Sequence, residues 1–414
     1  MQSHGNERGR NWIPSPTDFD IAIAGGGMVG ATLALALRGS GYHIVLIEPV
    51  APGQAAQPSY DDRGIALSLA GERVLRHIGS WDQVQRSASP IRRVHVSEQS
   101  RFGCVQMDAA RLGVAALGHV VIARELGAAL WQCVRAADWI TPLCPESVTQ
   151  IEQRKDSVQV RCGSGAALDC RLLVVADGVD SSLRTLLGID VARHDYLQTA
   201  IVASVSVRQP HADTAYERFS PTGPLALLPL DQRRMVAVNC VSTTDAPAWL
   251  ALGDAEYCQQ LGQRLGGRLG GFSQCGVRRQ YPLQRVVPDR QVSARAVLLG
   301  NAALNIHPNG AQGFNLALRD VAALADVLAA HAGTDPGAVP ALAAFAEGRR
   351  EDRERVARFS HGLAQSFASE KLLLGVLRQT GLLLTELLPP LKRELMLLGA
   401  GLRGRQPDCV RSTA

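Results

Sequence analysis

Three glycines and one acid carry the first chemistry legible in this chain. Gly25, Gly27 and Gly30 stand at G-x-G-x-x-G spacing, and Glu48 follows one element later. Glycines so spaced let a backbone turn tightly, approach a pyrophosphate and seat a helix against a strand. An acid at the end of the next strand can accept hydrogen bonds from a ribose. The local sequence supplies the elements that would position them. Ile21 to Ala24 is a short apolar run suited to a buried strand, Ala31 to Arg38 is helix-forming, Gly39-Ser-Gly41 breaks it, and Ile44 to Ile47 is a second apolar run. The unit has the size of a βαβ, about 30 residues. The N-terminus of its helix would offer N–H groups and partial positive charge to phosphates. Dinucleotide binding follows from this whole context, since the glycine spacing alone is a weak signal. Ile21 to Leu37 is uncharged, but it falls just under the ~20 residues a membrane span needs and its middle is a glycine cluster.

Two further stretches place ligand-seeking groups where strands end. Arg171-Leu-Leu-Val-Val-Ala176 reads as a buried strand that stops at Asp177-Gly178, with Arg184 shortly after. A carboxylate and a glycine at the C-terminal end of a parallel strand lie where open α/β sheets bind ligands. Arg295-Ala-Val-Leu-Leu299 delivers Gly300-Asn301, then His307-Pro308, Gln312-Gly313-Phe-Asn315 and an amphipathic helix from Leu316 to Ala330. Here too a glycine-containing loop feeds a helix N-terminus that would favour negative charge. Three separated stretches thus offer cofactor contacts. Arg63 could reach a cofactor phosphate or ring carbonyl, or equally be a solvated arginine beside a capping Asp. His95, on an alternating strand, reads as a packed sheet residue.

Between these stretches the periodicity changes. Arg93–Ser97 and Cys104–Asp108 alternate like a hairpin, and Thr199 to Gln284 is strand-like apart from a helix over Ala255 to Leu265. Short strands are expected at Val148–Glu152, Ser157–Cys162 and Ala167–Cys170, and helical spacing returns at Ile122–Leu130. A helical pattern is also expected after the charged cluster at Arg63, running through Ile78. The fold class is therefore α/β: a Rossmann-type dinucleotide-binding domain, a second, mostly antiparallel β-sheet domain for the substrate, and a C-terminal helical segment. The expected boundaries are 1–17 as a disordered lead, and 18–90, 113–195 and 286–340 as the discontinuous nucleotide domain. The substrate domain takes 91–112 and 196–285, and the helical segment 341–414.

The chain has 414 residues, 46% hydrophobic and 20% charged, with a net charge of +5. That charge is too small to argue for nucleic acid. From Ala341 to Ala414 there are 12 Lys+Arg against 8 Asp+Glu, so +4 of it lies in the last segment. Nine cysteines, none in C-x-x-C, read as reduced thiols of a cytosolic protein and suggest no metal site. The polar first 17 residues have no apolar run of a secretory signal.

Together, the three stretches resemble the flavin-dependent aromatic hydroxylases of the para-hydroxybenzoate hydroxylase class, in that class's order and at similar separations. Within it, Asp62-Arg63-Gly-Ile-Ala-Leu, Arg93-Val-His-Val-Ser-Glu, Ala116-Leu-Gly-His-Val-Val and Glu217-Arg-Phe-Ser-Pro-Thr-Gly-Pro-Leu-Ala-Leu-Leu-Pro are similar to the ubiquinone-biosynthesis hydroxylases. The resemblance covers about residues 18 to 400. It implies that Gly25, Gly27, Gly30 and Glu48 hold the ADP half of FAD, with Arg63 and Arg124 near the ribityl-pyrophosphate. It implies that Asp177 and Gly178 serve FAD and NAD(P)H, that Asn301 meets the ribityl or pyrophosphate region, and that His307 to Asn315, with Pro308, Gln312, Gly313 and Asn315, borders the isoalloxazine. The implied reaction is hydroxylation of a polyprenylated phenol with NAD(P)H and O₂ through a flavin C4a-hydroperoxide; NAD(P)H would bind without a Rossmann domain of its own. No acid–base pair stands out.

Two departures from the class are visible. Asn301 stands where an Asp is commoner, and Gly310-Ala311 stands where Ala-Gly is usual, so Ala311 would be strained if that position needs positive φ. A plain NAD-dependent dehydrogenase would leave 177 and 301–315 without a task. A sister hydroxylase acting at another ring position, or a non-catalytic flavoprotein scaffold among other ubiquinone-biosynthesis proteins, uses the same motifs. The leucine-rich tail, Lys371 to Leu402, reads either as a helix on the protein's own core or as a peripheral contact with the inner membrane.

Overall fold

Strands that are apolar on both sides must be covered on both sides. Ile21, Ala22, Ile23, Val45, Leu46, Leu173 and Val174 are all fully buried. A computed structural model, describing residues 18–54, 63–368 and 372–411, shows how. Strand Phe19–Ala24 lies between Ala167–Val175 and Ile44–Ile47, with Ala22 opposite Leu173 on one side and Val45 on the other. Ala296–Leu298 and Ile140–Leu143 extend the sheet at its two ends, and all these pairings are parallel. One face packs against helices Met28–Ala36, Ala123–Ala136 and Gln312–Ala330 through Leu33, Leu126, Leu130, Leu318 and Val321. The other face packs Val45, Ile47 and Val175 against Leu183, Leu187, Val158 and Val160. The strands expected at Ala167–Cys170 and Arg171–Ala176 form one continuous strand, Ala167–Val175, because the half-buried Asp169 and the buried Arg171 are paired within it rather than at a turn.

The second sheet is mostly antiparallel, as expected. Its long strand Val191–Val207 pairs with Arg234–Ser242 and Arg279–Pro288, and begins a few residues before 196. Thr214–Phe219 joins Leu225–Pro229 antiparallel and Arg93–Glu98 parallel, which brings in the hairpin of Arg93–Glu98 and Cys104–Asp108. His95 points to the side of this sheet carrying Tyr216, at a ring distance of 5.8 Å, as a packed residue. A third, small sheet pairs Gly64–Ser68 with Gly118–Ile122, and Ser89–Ile91 with the same strand. The helical pattern expected from Arg63 thus begins five residues late, at Leu69, where the Ser68 hydroxyl accepts from the Gly71 N–H at 3.2 Å.

Helices Val339–Ala368, Leu372–Leu387 and Pro389–Gly399 close the chain. The dense charge around 347–358 is partly buried. Arg349 donates to Asp320 at 2.7 Å and to Asp352 at 2.6 Å, and Arg319 donates to Asp352 at 3.0 Å. Burial opposes ionisation of Asp352, yet Arg319 and Arg349 hold its carboxyl down to about 2. Buried charges persist when paired in this way. All nine cysteines are free thiols. Residues 1–17, Asp62 and Lys371 lie outside the described residues.

Candidate functional site

The glycine loop is shaped by contacts that exclude a side chain. Gly25 has φ of +108°, and a Cβ there would lie 2.4 Å from the Ala176 carbonyl oxygen. A Cβ on Gly30 would lie 1.9 Å from the Gly25 carbonyl oxygen, so the helix sits directly on the turn. Gly27 is the helix N-cap, with no side-chain cap and no acid in the first turn. The first N–H groups of that helix open on a cavity lined by Gly27, Met28 and Val29, the arrangement that binds phosphate. Gly26, which the spacing did not single out, is as constrained as its neighbours. Its Cβ would meet Glu48 and Trp131 at 2.8 Å, its N–H donates to Glu48 Oε2 at 2.7 Å, and its carbonyl accepts from Trp131 Nε1 at 2.8 Å. Val50 N–H donates to Glu48 Oε1 at 3.0 Å. Glu48 is buried, fastens the loop and lines the cavity.

Beside the glycine loop the cavity is bordered by the ends of the next two strands of the sheet. Asp177 and Gly178 follow Ala167–Val175, and Gly178 has φ of +99°. Burial pushes the Asp177 carboxyl up, opposed by the Ser181 hydroxyl and the Leu183 N–H. Arg184, 2% exposed, donates to the Val179 carbonyl at 2.5 Å and to the Ala302 carbonyl at 2.9 Å. It thereby bolts the Asp-Gly turn to the loop that carries Asn301. Gly310 and Ala311 both adopt left-handed backbone, φ 65° and 52°. The strain expected at Ala311 is present, because this loop reverses direction just before helix Gln312–Ala330. A Cβ on Gly313 would meet only Ile306, at 3.7 Å, so the protein leaves room there.

Not every expected contact residue points its polar atoms at the cavity. Asn315 lines it, yet its Oδ1 accepts from the Ser68 N–H at 2.7 Å and its Nδ2 donates to the Ala66 and Ala311 carbonyls at 2.8 Å. It holds strand Gly64–Ser68 against the loop. His307 is buried and its imidazole is pushed down to about 4 by burial, so it is neutral, with Nε2 3.0 Å from Gln198 Oε1. Gln312 Nε2 donates to Gly310, while its Oε1 is buried without a hydrogen-bond partner. Arg63 lines the cavity with its guanidinium 4.6 Å over the Tyr281 ring, so it is a stacked residue rather than a solvated one. Pro308 and Asn301 line it as well. Gly30 lies beneath the lining, and Arg124 is exposed in the first turn of Ala123–Ala136, off the lining.

The cavity measures about 1510 Å³ and continues from this polar end to the second sheet. There the wall is apolar: Val96, Val105, Ala226 and Val238 from four strands, with Phe219 stacked on Phe367 at 3.8 Å. Helix Leu372–Leu387 closes one side with Arg378, Gly381, Leu382 and Thr385. It is fastened by Arg378 to Glu98 at 2.7 Å, Gln379 to Glu98 at 2.5 Å, and the Gly103 N–H to Gln379 at 2.7 Å. Glu217 stands alone among the apolar side chains of the sheet wall. Sequence reading missed it, and it missed the tail helix as a wall, because those contacts are long-range; only the lone acid among apolar neighbours hinted at Glu217.

These features fit an FAD: a glycine loop packed too closely on its own strands and helix to carry side chains, an uncapped helix N-terminus that opens on the cavity, and a carboxylate at the end of the second strand. Residues 18–360 match the model of the FAD binding domain family. The chain is 34% identical over 379 residues to ubiquinone hydroxylase UbiL of Rhodospirillum rubrum, covering 91% of this chain and 88% of that protein. It is 31% identical to the 3-demethoxyubiquinol 3-hydroxylase of Escherichia coli, covering 92% and 98%. Among solved structures, p-nitrophenol 4-monooxygenase PnpA of Pseudomonas putida shares the fold, with a TM-score of 0.77 at 17% identity over 94% of this chain and 98% of that one. The chain belongs to the FAD-dependent aromatic hydroxylases, on the branch of the ubiquinone-biosynthesis hydroxylases.

Proposed function

We propose that this protein hydroxylates the aromatic ring of a polyprenylated phenol in ubiquinone biosynthesis, using FAD, NAD(P)H and O₂. The observation that carries the reading is a single cavity with two unlike ends. One end is a glycine loop with an open helix N-terminus, and the other is an apolar sheet wall. A single small-molecule site is typically about 300–1,000 Å³. At about 1510 Å³ the cavity has room for a dinucleotide together with an apolar ring and part of its chain. FAD, when bound, would take hydride from NAD(P)H and activate O₂. The chain's residues would do the positioning. Gly25, Gly27 and the helix N–H groups would hold the pyrophosphate, and Glu48 the ribose. Asp177, Gly178, Asn301 and the loop of Pro308, Gln312 and Gly313 would flank the flavin, with Arg63 at its edge. The valines of the sheet wall would keep water from the ring. In this reading 18–90, 113–195 and 286–340 carry the cofactor, 91–112 and 196–285 the substrate, and 341–414 closes the site.

The ring position is read as that of a 2-octaprenyl-6-methoxyphenol hydroxylase, with sister positions as the alternative. Quinone-intermediate profiling by mass spectrometry in a deletion strain tests this. A precursor lacking one ring hydroxyl should accumulate and disappear when the gene is restored. An unchanged profile refutes the reading, and a flavin-loaded protein that restores the pathway without turning over substrate points to the scaffold instead.

We also read the tail as a peripheral membrane contact of a cytoplasmic protein. No described helix is long and apolar enough to cross a membrane. Helix Leu372–Leu387 nevertheless exposes Leu377, Leu383, Leu384 and Leu387, the last at 72%. Of the tail's cations, Arg378 is buried on Glu98, Lys392 is buried on Glu386 at 2.6 Å and Arg403 is paired with Glu394, which leaves Arg393 exposed. Apolar burial would therefore outweigh charge, and binding would depend little on salt. Flotation with anionic liposomes should be lost in Leu384→Glu/Leu387→Glu. Equal flotation of the two proteins, or none from either, leaves the tail as core or as a protein interface.

A further inference from the structure

Glu217 lies on strand Thr214–Phe219 at the centre of the cavity's apolar wall. Its pairing partners across the sheet are Val96 on one side and Ala226 on the other. Beyond them, Val105 pairs with Val96 and Val238 with Ala226. The five residues form one row across the sheet, and all five line the cavity. The row is thus four aliphatic side chains with one carboxyl in the middle. No side chain or backbone group among the described residues hydrogen-bonds that carboxyl. An apolar wall gains nothing in stability from an unpartnered acid, since burying such a group costs free energy unless it finds a partner. Its partner is therefore to be sought in what enters the cavity.

We propose that Glu217 accepts the proton of the substrate's phenolic hydroxyl, fixing the ring in the cavity and activating it for hydroxylation. This rests on the reading of the protein as a phenol hydroxylase. The phenol O–H donates to a Glu217 oxygen. As a ring carbon ortho or para to that hydroxyl attacks the terminal oxygen of the hydroperoxide-level oxidant that O₂ and NAD(P)H supply, the O–O bond breaks and its electron pair leaves on the other oxygen, while the phenol O–H bond breaks and its proton passes to the carboxylate. The electron pair left on the phenol oxygen feeds the new C–O bond through the ring, which becomes a dienone with one tetrahedral carbon. That carbon loses its proton to water, Glu217 returns its own to the ring oxygen, and aromaticity is restored. The ring has then exchanged C–H for C–OH, and the carboxylate is regenerated.

The surroundings suit a base. Burial pushes the Glu217 carboxyl up to about 7, and a base tuned close to the working pH is the more effective one. From the neighbouring strand the one charged group on the same face is Glu98, neutralised by Arg378 at 2.7 Å and by Gln379. From strand Arg234–Ser242, Cys240 faces it, its thiol pushed up to about 12 by burial first and the Glu217 charge second. Strand Leu225–Pro229 presents Ala226 and Leu228, which do not titrate. The cations that line the cavity are Arg378 from helix Leu372–Leu387, Arg63 beside strand Gly64–Ser68, and Arg279, which ends the same row of the sheet two strands beyond Val238. Lowering the pH through about 7 therefore protonates Glu217.

The test uses the FAD-loaded full chain, a phenol carrying a short prenyl chain, and its O-methyl ether. Wild type should bind the phenol about tenfold or more tightly than the ether above pH ~7.5, the worth of a hydrogen bond to a charged group. That preference should shrink as the pH falls through about 7. In Glu217→Gln and Glu217→Leu it should drop below about threefold and lose its pH dependence, with flavin content unchanged. Leu matches the wall, so this variant is expected to fold. Hydroxylation should rise through about pH 7 in wild type and fall about a hundredfold or more in Glu217→Gln, while NAD(P)H oxidation continues as peroxide release. Retention of both the ligand preference and the pH profile in the variants overturns the role of Glu217. If wild type shows the preference but makes no hydroxylated product, the function reading falls and the contact stands. If wild type binds neither ligand, both fall.

Discussion

Glu48 makes two roles separable by one substitution. Its carboxylate accepts from the Gly26 N–H at 2.7 Å and from the Val50 N–H at 3.0 Å, and it borders the cavity where the second parallel strand ends. In Glu48→Gln the side chain keeps its shape and one acceptor oxygen but turns an NH₂ toward the other amide. One buried N–H then loses its partner, a loss of about 1–3 kcal/mol in stability. For a chain of 414 residues, melting entropy scales to about 0.9 kcal/mol per degree, so the midpoint should fall by about 1–3 °C. The ribose contact is a separate term. A hydrogen bond from a hydroxyl to a carboxylate is worth about 1.5–3 kcal/mol, so the FAD dissociation constant should rise about 10- to 150-fold. Titration of flavin-stripped protein with FAD, followed by flavin fluorescence, reads the second term, and thermal denaturation of the apoprotein reads the first. A lowered midpoint with FAD affinity within about threefold of wild type would make Glu48 a fastener of the loop alone and refute the ribose contact.

Other perturbations address the same cavity. Ala311→Gly removes a left-handed alanine at φ 52° and should stabilise by about 0.5–1 kcal/mol in chemical denaturation, the strain relieved less the entropy of an added glycine; a loss of stability would contradict the strain. Gly313→Val should leave the apoprotein within about 0.5 kcal/mol of wild type, since its Cβ meets only Ile306 at 3.7 Å, while weakening flavin binding. Equal flavin affinity would place the isoalloxazine away from that residue. Glu217→Leu should change stability with a defined pH sense. The folded carboxyl titrates at about 7, above its ordinary value of 4.5, so the wild type is fully stabilised below about 4.5 and loses up to about 3 kcal/mol as pH rises through about 7. The variant should therefore melt about 3 °C higher than wild type at pH 8 and no higher at pH 4.5, and a gap independent of pH would show that the group is not buried as described.

Much of the nucleotide end was legible because its determinants are local. Gly25, Gly27, Gly30 and Glu48 lie within one βαβ unit, and the strand ends at 177 and 300 follow from apolar runs that stop at Asp177-Gly178 and at Gly300. The strain at Ala311 was readable too, from two adjacent residues in exchanged order. The substrate end was less legible because its determinants are pairings. Glu217 has meaning only when Val96 and Ala226 flank it, and the first of these comes from a parallel pairing between strands more than a hundred residues apart. The bond between Glu98 and Arg378 spans 280 positions, so no periodicity in the tail could have shown that its helix is a cavity wall. Asn315 shows what a motif leaves open. Its place in a recognised motif suggested a cofactor ligand, whereas its side chain is committed to the backbone of Gly64–Ser68. A motif preserves the position of a residue in a loop, and whether that residue touches the ligand or holds the loop in shape depends on which backbone groups the folded chain leaves unpaired beside it.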